Sequence, residues 1–138
     1  MKLDYDLLKR ILQTMEEEQS HLCDNLYLAS KVNVGATGDG GSIKIEDEAL
    51  LEKFIGHIRI LNDHGCIDCE NSTLGFRQMS GDSWFLQNTK YRMTSDGYAF
   101  LDMLNNKTVF NKIKDFSIDT AIDVGKTLLM KVVTEGLT

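Results

Sequence analysis

At 138 residues, 42% hydrophobic and 26% charged, the chain has the size of one domain with one substantial core, and no uncharged apolar run is long enough to span a membrane. Its 15 Lys and Arg against 21 Asp and Glu give a formal net charge of -6, which opposes phosphate-backbone binding unless the cations gather on one face. The 3 cysteines, Cys23, Cys66 and Cys69, are few and odd in number, which excludes a disulfide framework and fits reduced thiols.

The start Met1-Lys2-Leu3-Asp4-Tyr5-Asp6 lacks the basic and then apolar regions of a signal peptide, so a cytoplasmic location is expected. Leu3, Leu7, Leu8, Ile11, Leu12 and Met15 recur at helical spacing and predict an amphipathic helix from about Leu3 to Glu18. Glu16-Glu17-Glu18 face the negative end of its dipole, which should fray that end or draw a cation to it. Asn25 to Asn33, with Leu26, Leu28 and Val32, is expected to be a strand. Gly35 to Ser42 is then a flexible loop from which Ile43-Lys44-Ile45 pairs back; it lacks the Gly-Lys-Ser/Thr ending of a phosphate cradle.

From Glu46 the pattern turns helical, with Leu50, Leu51, Phe54, Ile55, Ile58 and Leu61 on one stripe, acids at its start and Gly65 as its stop. Strands are predicted at Cys66 to Glu70, around Gly75 to Met79 and from Trp84 to Met93, with turns at Asn71-Ser72 and Ser80-Gly81-Asp82. Thr94 or Ser95 caps a helix that turns Tyr98, Phe100, Leu101 and Leu104 inward. Asn105-Asn106 interrupts it, Lys107 to Phe116 resumes it, and Ser117 or Asp119 opens a last helix to about Thr134. That last helix is apolar over more than a narrow stripe, so it either packs on the first helix or pairs two subunits as a homodimer.

Cys66-Ile67-Asp68-Cys69 has metal-ligand spacing, and His64 and Cys23 could complete a zinc set, but no second pair follows and positions three apart on a strand face opposite sides. Structural cysteines, with no metal and no cofactor, are the expectation. His21, His57 and His64 are scattered, and no catalytic set has local support. For nucleic acid the candidates are Lys53, Arg59 and Asn62 on the central helix with Arg77, Lys90 and Arg92 in the hairpin beside Trp84, Phe85 and Tyr91. Glu48, Glu52 and Asp63 on the same helix oppose a polyanion, and only residues 91 to 116 carry a thin positive excess.

The start Met1 to Leu12, the central His57-Ile58-Arg59-Ile60-Leu61-Asn62-Asp63-His64-Gly65-Cys66-Ile67, and Met93-Thr94-Ser95-Asp96-Gly97-Tyr98-Ala99-Phe100-Leu101-Asp102 followed by Val109-Phe110-Asn111-Lys112 resemble a small bacterial and prophage-associated family of unknown function. The resemblance covers nearly the whole chain, departs from the family's shorter pattern at Gly35 to Ser42, and implies a winged-helix-like fold without transferring an activity. The expectation is an α+β, winged-helix-like single domain over 1–138. Asp47 to His64 is its recognition-helix equivalent, Cys66 to Met93 its wing, and 107–138 a C-terminal helical extension. The expected function is a non-enzymatic phage accessory protein acting as an interaction or regulatory module on a protein partner, the alternative a regulator that binds duplex DNA.

Overall fold

The computed structural model describes residues 2–32, 36–39, 42–45, 48–78 and 84–135. The expected turn Ser80-Gly81-Asp82, the helix-leading acids Glu46 and Asp47, and Gly35, Gly40 and Gly41 of the glycine-rich segment lie outside the described residues.

Helix α1 (Tyr5–Glu17) begins where Asp4, in extended backbone conformation, accepts the Leu7 amide on its carboxylate at 3.1 Å. That contact satisfies one of the donors a first turn leaves without a helical partner. Leu7, Leu8, Ile11, Leu12 and Met15 are buried as their spacing predicts, while Glu16 and Glu17 stand in solvent.

Strand β1 (Leu22–Asp24) leads directly into helix α2 (Asn25–Lys31), so most of the segment expected to be a strand is a helix instead; Asn33, its expected end, lies outside the described residues. Asp24 explains the change: its carboxylate accepts the Leu26 and Tyr27 amides at 2.8 and 3.3 Å and nucleates a turn. The buried set is Asn25, Leu28, Ala29 and Val32, which is helical spacing hidden by a polar residue at its first position. Strands β2 (Ala36–Asp39) and β3 (Ser42–Ile45) form an antiparallel hairpin. Ile43-Lys44-Ile45 does pair back, but onto Ala36–Asp39 of the segment expected to be loop and not across that loop onto the strand expected before it.

Helix α3 (Glu48–Asp63) buries Leu51, Phe54, Ile55, Ile58 and Leu61, whereas Leu50, expected on that stripe, is exposed. Its end is closed by Gly65, at φ 70°, with Gly65 N–H on the Asn62 carbonyl at 3.1 Å and Cys66 N–H on the Leu61 carbonyl at 2.8 Å. This double bond pattern requires a left-handed residue after the helix, which glycine adopts without strain.

The next strands are β4 (Ile67–Cys69), β5 (Phe76–Gln78), β6 (Trp84–Leu86) and β7 (Lys90–Met93). β7 is the centre of an antiparallel sheet of order β1-β7-β4, and β5 and β6 form a separate two-stranded ribbon. Trp84 to Met93 is therefore two strands, not one. Asn25 breaks it: its Nδ2 donates to the Gln87 carbonyl at 2.9 Å, its Oδ1 accepts the Thr89 amide at 3.1 Å, and its own amide donates to the Thr89 carbonyl at 3.0 Å. Backbone groups spent on Asn25 cannot extend a ladder.

Thr94 caps α4 (Ser95–Asn105): its hydroxyl accepts the Gly97 amide at 3.1 Å and donates to the Gly65 carbonyl, tying the start of α4 to the end of α3. Phe100, Leu101 and Leu104 face inward with Met103, but Tyr98, expected inside, is 48% exposed. Asn106 caps α5 (Lys107–Ile113) through the Val109 amide, and the helix stops short of the expected Phe116. Helix α6 (Ile118–Glu135) packs on α4 and α5 rather than on α1, with Gly125 against Met103.

Among the described residues the fold is α+β, with six helices, the three-stranded antiparallel sheet and two ribbons. The core draws buried side chains from α1, α2, α3, the sheet and α4 to α6, so the C-terminal helices supply Val109, Ile113 and Ala121 to the same apolar cluster. No helix among the described residues is long and apolar enough to cross a membrane.

Candidate functional site

The exposed side of α3 is bordered by the segment Lys2–Asp4, by Trp84 on β6 and by the end of α5, and together they enclose a groove of about 1220 Å³. Gly56 lies on its lining midway along α3, and Ile55, Phe110 and Leu3 give it apolar walls. Charges of both signs line it: Lys2, Lys53, Arg59 and Lys114 against Asp4, Asp6, Glu52 and Asp115.

The cations of α3 are held within the molecule. Lys53 Nζ lies 2.7 Å from Asp4 Oδ2, in a half-exposed pair. Burial pushes the Asp4 carboxyl up, but Lys53 and the Leu7 amide outweigh it and hold it below the usual carboxylate range. Arg59 stacks over the Trp84 ring with its guanidinium carbon 5.5 Å from the ring centroid. The carboxylates of Asp6, Glu52 and Asp115 and the ammonium groups of Lys2 and Lys114 have no partner among the described residues.

The other sequence candidates do not join this groove. Asn62 is exposed near the end of α3, and Arg77 is exposed on β5 opposite Phe85. Lys90 and Arg92 share the outer face of β7; Arg92 is bound to Asp68 of β4 at 2.7 Å, and Lys90 stands opposite Asp24 in the register. Sequence reasoning missed Asp4 and His57, which meet across 53 positions. No local pattern could have joined them.

The cysteines are placed for packing. Cys23 and Cys69 flank Tyr91 on neighbouring strands, and Cys66 is buried beyond the end of α3. Burial pushes the Cys23 and Cys66 thiols up to about 11 and raises Cys69 as well, so all three stay protonated at neutral pH. Among the described residues no three His, Cys, Asp or Glu side chains come together as a metal site.

His64, in the last turn of α3, has Nδ1 2.9 Å from the Ile60 carbonyl and Nε2 2.8 Å from Asp119 of α6. Two acceptors at one ring favour the imidazolium, and the helix dipole favours a cation there. Burial lowers the pKa of the ring, but the carbonyl and Asp119 outweigh it and raise it overall. A raised pKa stabilises the fold below the unfolded value, and that gain is lost as pH rises through the folded value. His64→Gln should therefore lower Tm near pH 5 and change it little near pH 9, about two units either side of an ordinary imidazole. Equal losses at both pH values would refute the ion pair.

No curated protein and no solved structure matches the chain. One family profile does, over residues 2–123, from the segment that lies on α3 to the first part of α6. The chain belongs to the family described as Hypothetical protein (DUF2513), a domain of unknown function.

Proposed function

We propose that this chain is a non-enzymatic protein-interaction or regulatory module on a winged-helix-like frame, and that the groove along α3 receives a basic segment of a partner protein. The frame is supported by the chain order α1-β1-α2-β2-β3-α3-β4-β5-β6-β7, in which the β2–β3 hairpin is inserted between α2 and α3, and by the placing of β7 between β1 and β4. α3 takes the position of a recognition helix, and the β5–β6 ribbon that of the wing. A phage accessory role belongs to the same reading through the resemblance of the motifs Met1 to Leu12, His57 to Ile67 and Met93 to Asp102, and a cytoplasmic setting through the reduced thiols Cys23, Cys66 and Cys69.

One observation carries the choice of partner: Lys53, Arg59 and Arg92 already have partners, and among the described residues the groove keeps three unpartnered acids against two unpartnered cations, Lys2 and Lys114. Lys53 is on Asp4, Arg59 on Trp84 and Arg92 on Asp68. A phosphate would have to displace each of them. Glu52, Asp6 and Asp115 are left to steer a positive segment.

The DNA reading keeps Arg77, Lys90 and Asn62, which are exposed. Pairing of two copies through α6 is supported by Met130, 70% exposed, beside half-buried Leu128, Leu129 and Val132.

Titration with random duplex DNA decides between the readings. Under ours, no binding is seen at low salt, and a protein partner retained by the wild type is lost on Glu52→Lys or Trp84→Ala but kept on Arg77→Ala. Duplex binding that weakens steeply with salt and is reduced by Arg77→Ala or Lys90→Ala overturns the protein-partner reading.

A further inference from the structure

The polar contacts of the segment Lys2–Asp4 with α3 pass through a single residue. The Asp4 amide donates to His57 Nε2 at 2.9 Å, and the Asp4 carboxylate takes Lys53 Nζ at 2.7 Å. The other ring nitrogen, Nδ1, is 2.7 Å from the Lys53 carbonyl. An amide N–H can only donate and a carbonyl can only accept, so Nε2 must be bare and Nδ1 must carry the proton. His57 is fully buried and this neutral tautomer fills both of its hydrogen-bonding positions.

A second proton on this ring would set N–H against N–H at the Asp4 amide. It would also place a charge where none of it reaches solvent. Two charged groups act on the ring: Asp4 from the N-terminal segment, which favours the proton, and Lys53 from α3 itself, which opposes it. Burial outweighs both and keeps the ring below the usual histidine range. Beyond these contacts Leu3 packs half-buried on the core and Asp4 caps α1 through the Leu7 amide, while Lys2 is exposed and the buried positions of α1 begin at Tyr5. The first turn is also anchored independently by the Tyr5 hydroxyl, which donates to the Phe116 carbonyl at 2.7 Å.

We propose that Lys2–Asp4 is a strap that protonation of His57 unlatches from α3 while the rest of the fold stays in place. The strap is one wall of the groove. Its release strips Lys53 of its carboxylate and adds an imidazolium beside it, so the groove gains positive charge and rejects a basic segment in acid. That last consequence rests on the docking role proposed above; the latch itself does not.

The test uses the chain alone, with amide exchange and histidine nitrogen shifts followed by NMR as pH falls. Exchange rates are corrected for their intrinsic pH dependence. The expected result is that Asp4 loses at least about tenfold of its protection through the His57 titration, while the Leu61 and Phe100 amides in the core keep theirs. Asp4 remaining protected throughout, or losing protection together with the core, overturns the proposal. His57→Gln, whose side-chain carbonyl can accept the amide without titrating, should keep Asp4 protected across the range; a loss that persists in this variant also overturns it. A chain that unlatches yet binds no basic partner would leave the strap standing and remove the docking role.

Discussion

Gly97→Ala is expected to lower Tm by about 10 °C or more, from a loss of about 3 kcal/mol at roughly 4 °C per kcal/mol for a chain of this size. A Cβ at this position would lie 2.2 Å from the Cys66 carbonyl oxygen and 2.7 Å from Met93 Cγ. The carbonyl cannot yield cheaply. It accepts the Thr94 amide at 3.0 Å, and the Cys66 amide is itself part of the closure of α3. Relieving the clash means moving α4 off the end of α3 and opening the Thr94 cap with it. Thermal unfolding checks this, with Gly125→Ala as the contrast, because its Cβ would meet the flexible Met103 thioether at 2.6 Å rather than backbone. Equal stability of Gly97→Ala and wild type would show that the α3–α4 junction is looser than described.

The second large effect is expected at Asn25. Replacing it with alanine leaves the Gln87 carbonyl and the Thr89 amide without their side-chain partners in a site where Asn25 and Thr89 are buried. Each orphaned group costs about 1–3 kcal/mol, so a total near 3 kcal/mol is expected. The damage should be local first. Asn25 clamps the segment that joins β6 to β7, and Gly75 is packed so tightly beneath it that an added Cβ would lie 2.4 Å from the Gln87 carbonyl oxygen. Freed from the clamp, the β5–β6 ribbon should swing and take Trp84 off Arg59. Trp84 is the chain's single tryptophan, so its fluorescence reports that movement directly. A red-shifted Trp84 emission with intact helical circular dichroism is the expected outcome for Asn25→Ala. Unchanged emission would mean that the ribbon is held by other contacts.

These positions differ in how legible they were. The stop at Gly65 and the cap at Thr94 could be read because each lies within a few residues of the helix it closes. The apolar stripes of α1 and α3 could be read for the same reason: their periods are local. Helix α2 was misread because Asn25, its first buried position, is polar, and the alternation of Leu26 and Leu28 then imitates a strand. What buries Asn25 is the β6–β7 connection, more than sixty positions away. Tyr98 and Leu50 were assigned inward because an apolar residue on a helix is counted toward the core, but a periodic stripe does not say how wide the covering layer is.

The candidate site shows the same division. The sequence supplied Lys53, Arg59 and Arg92 as cations and the acids among them as a warning, which set the balance against a polyanion before any partner was visible. It could not supply the partners. Lys53 pairs with Asp4 across 49 positions and Arg92 with Asp68 across 24, and His57 meets the Asp4 amide across 53.

By itself, then, the sequence determined the helices other than α2, the run of strands between α3 and α4, and the acidic balance, because these follow from composition and from contacts within a turn or two. The tertiary structure decided α2, the split of the long hairpin, the placement of α6 on α4 and α5, and the strap held by His57. Each of those depends on a polar group or a close approach supplied by a distant segment, and no local pattern encodes which segment that will be.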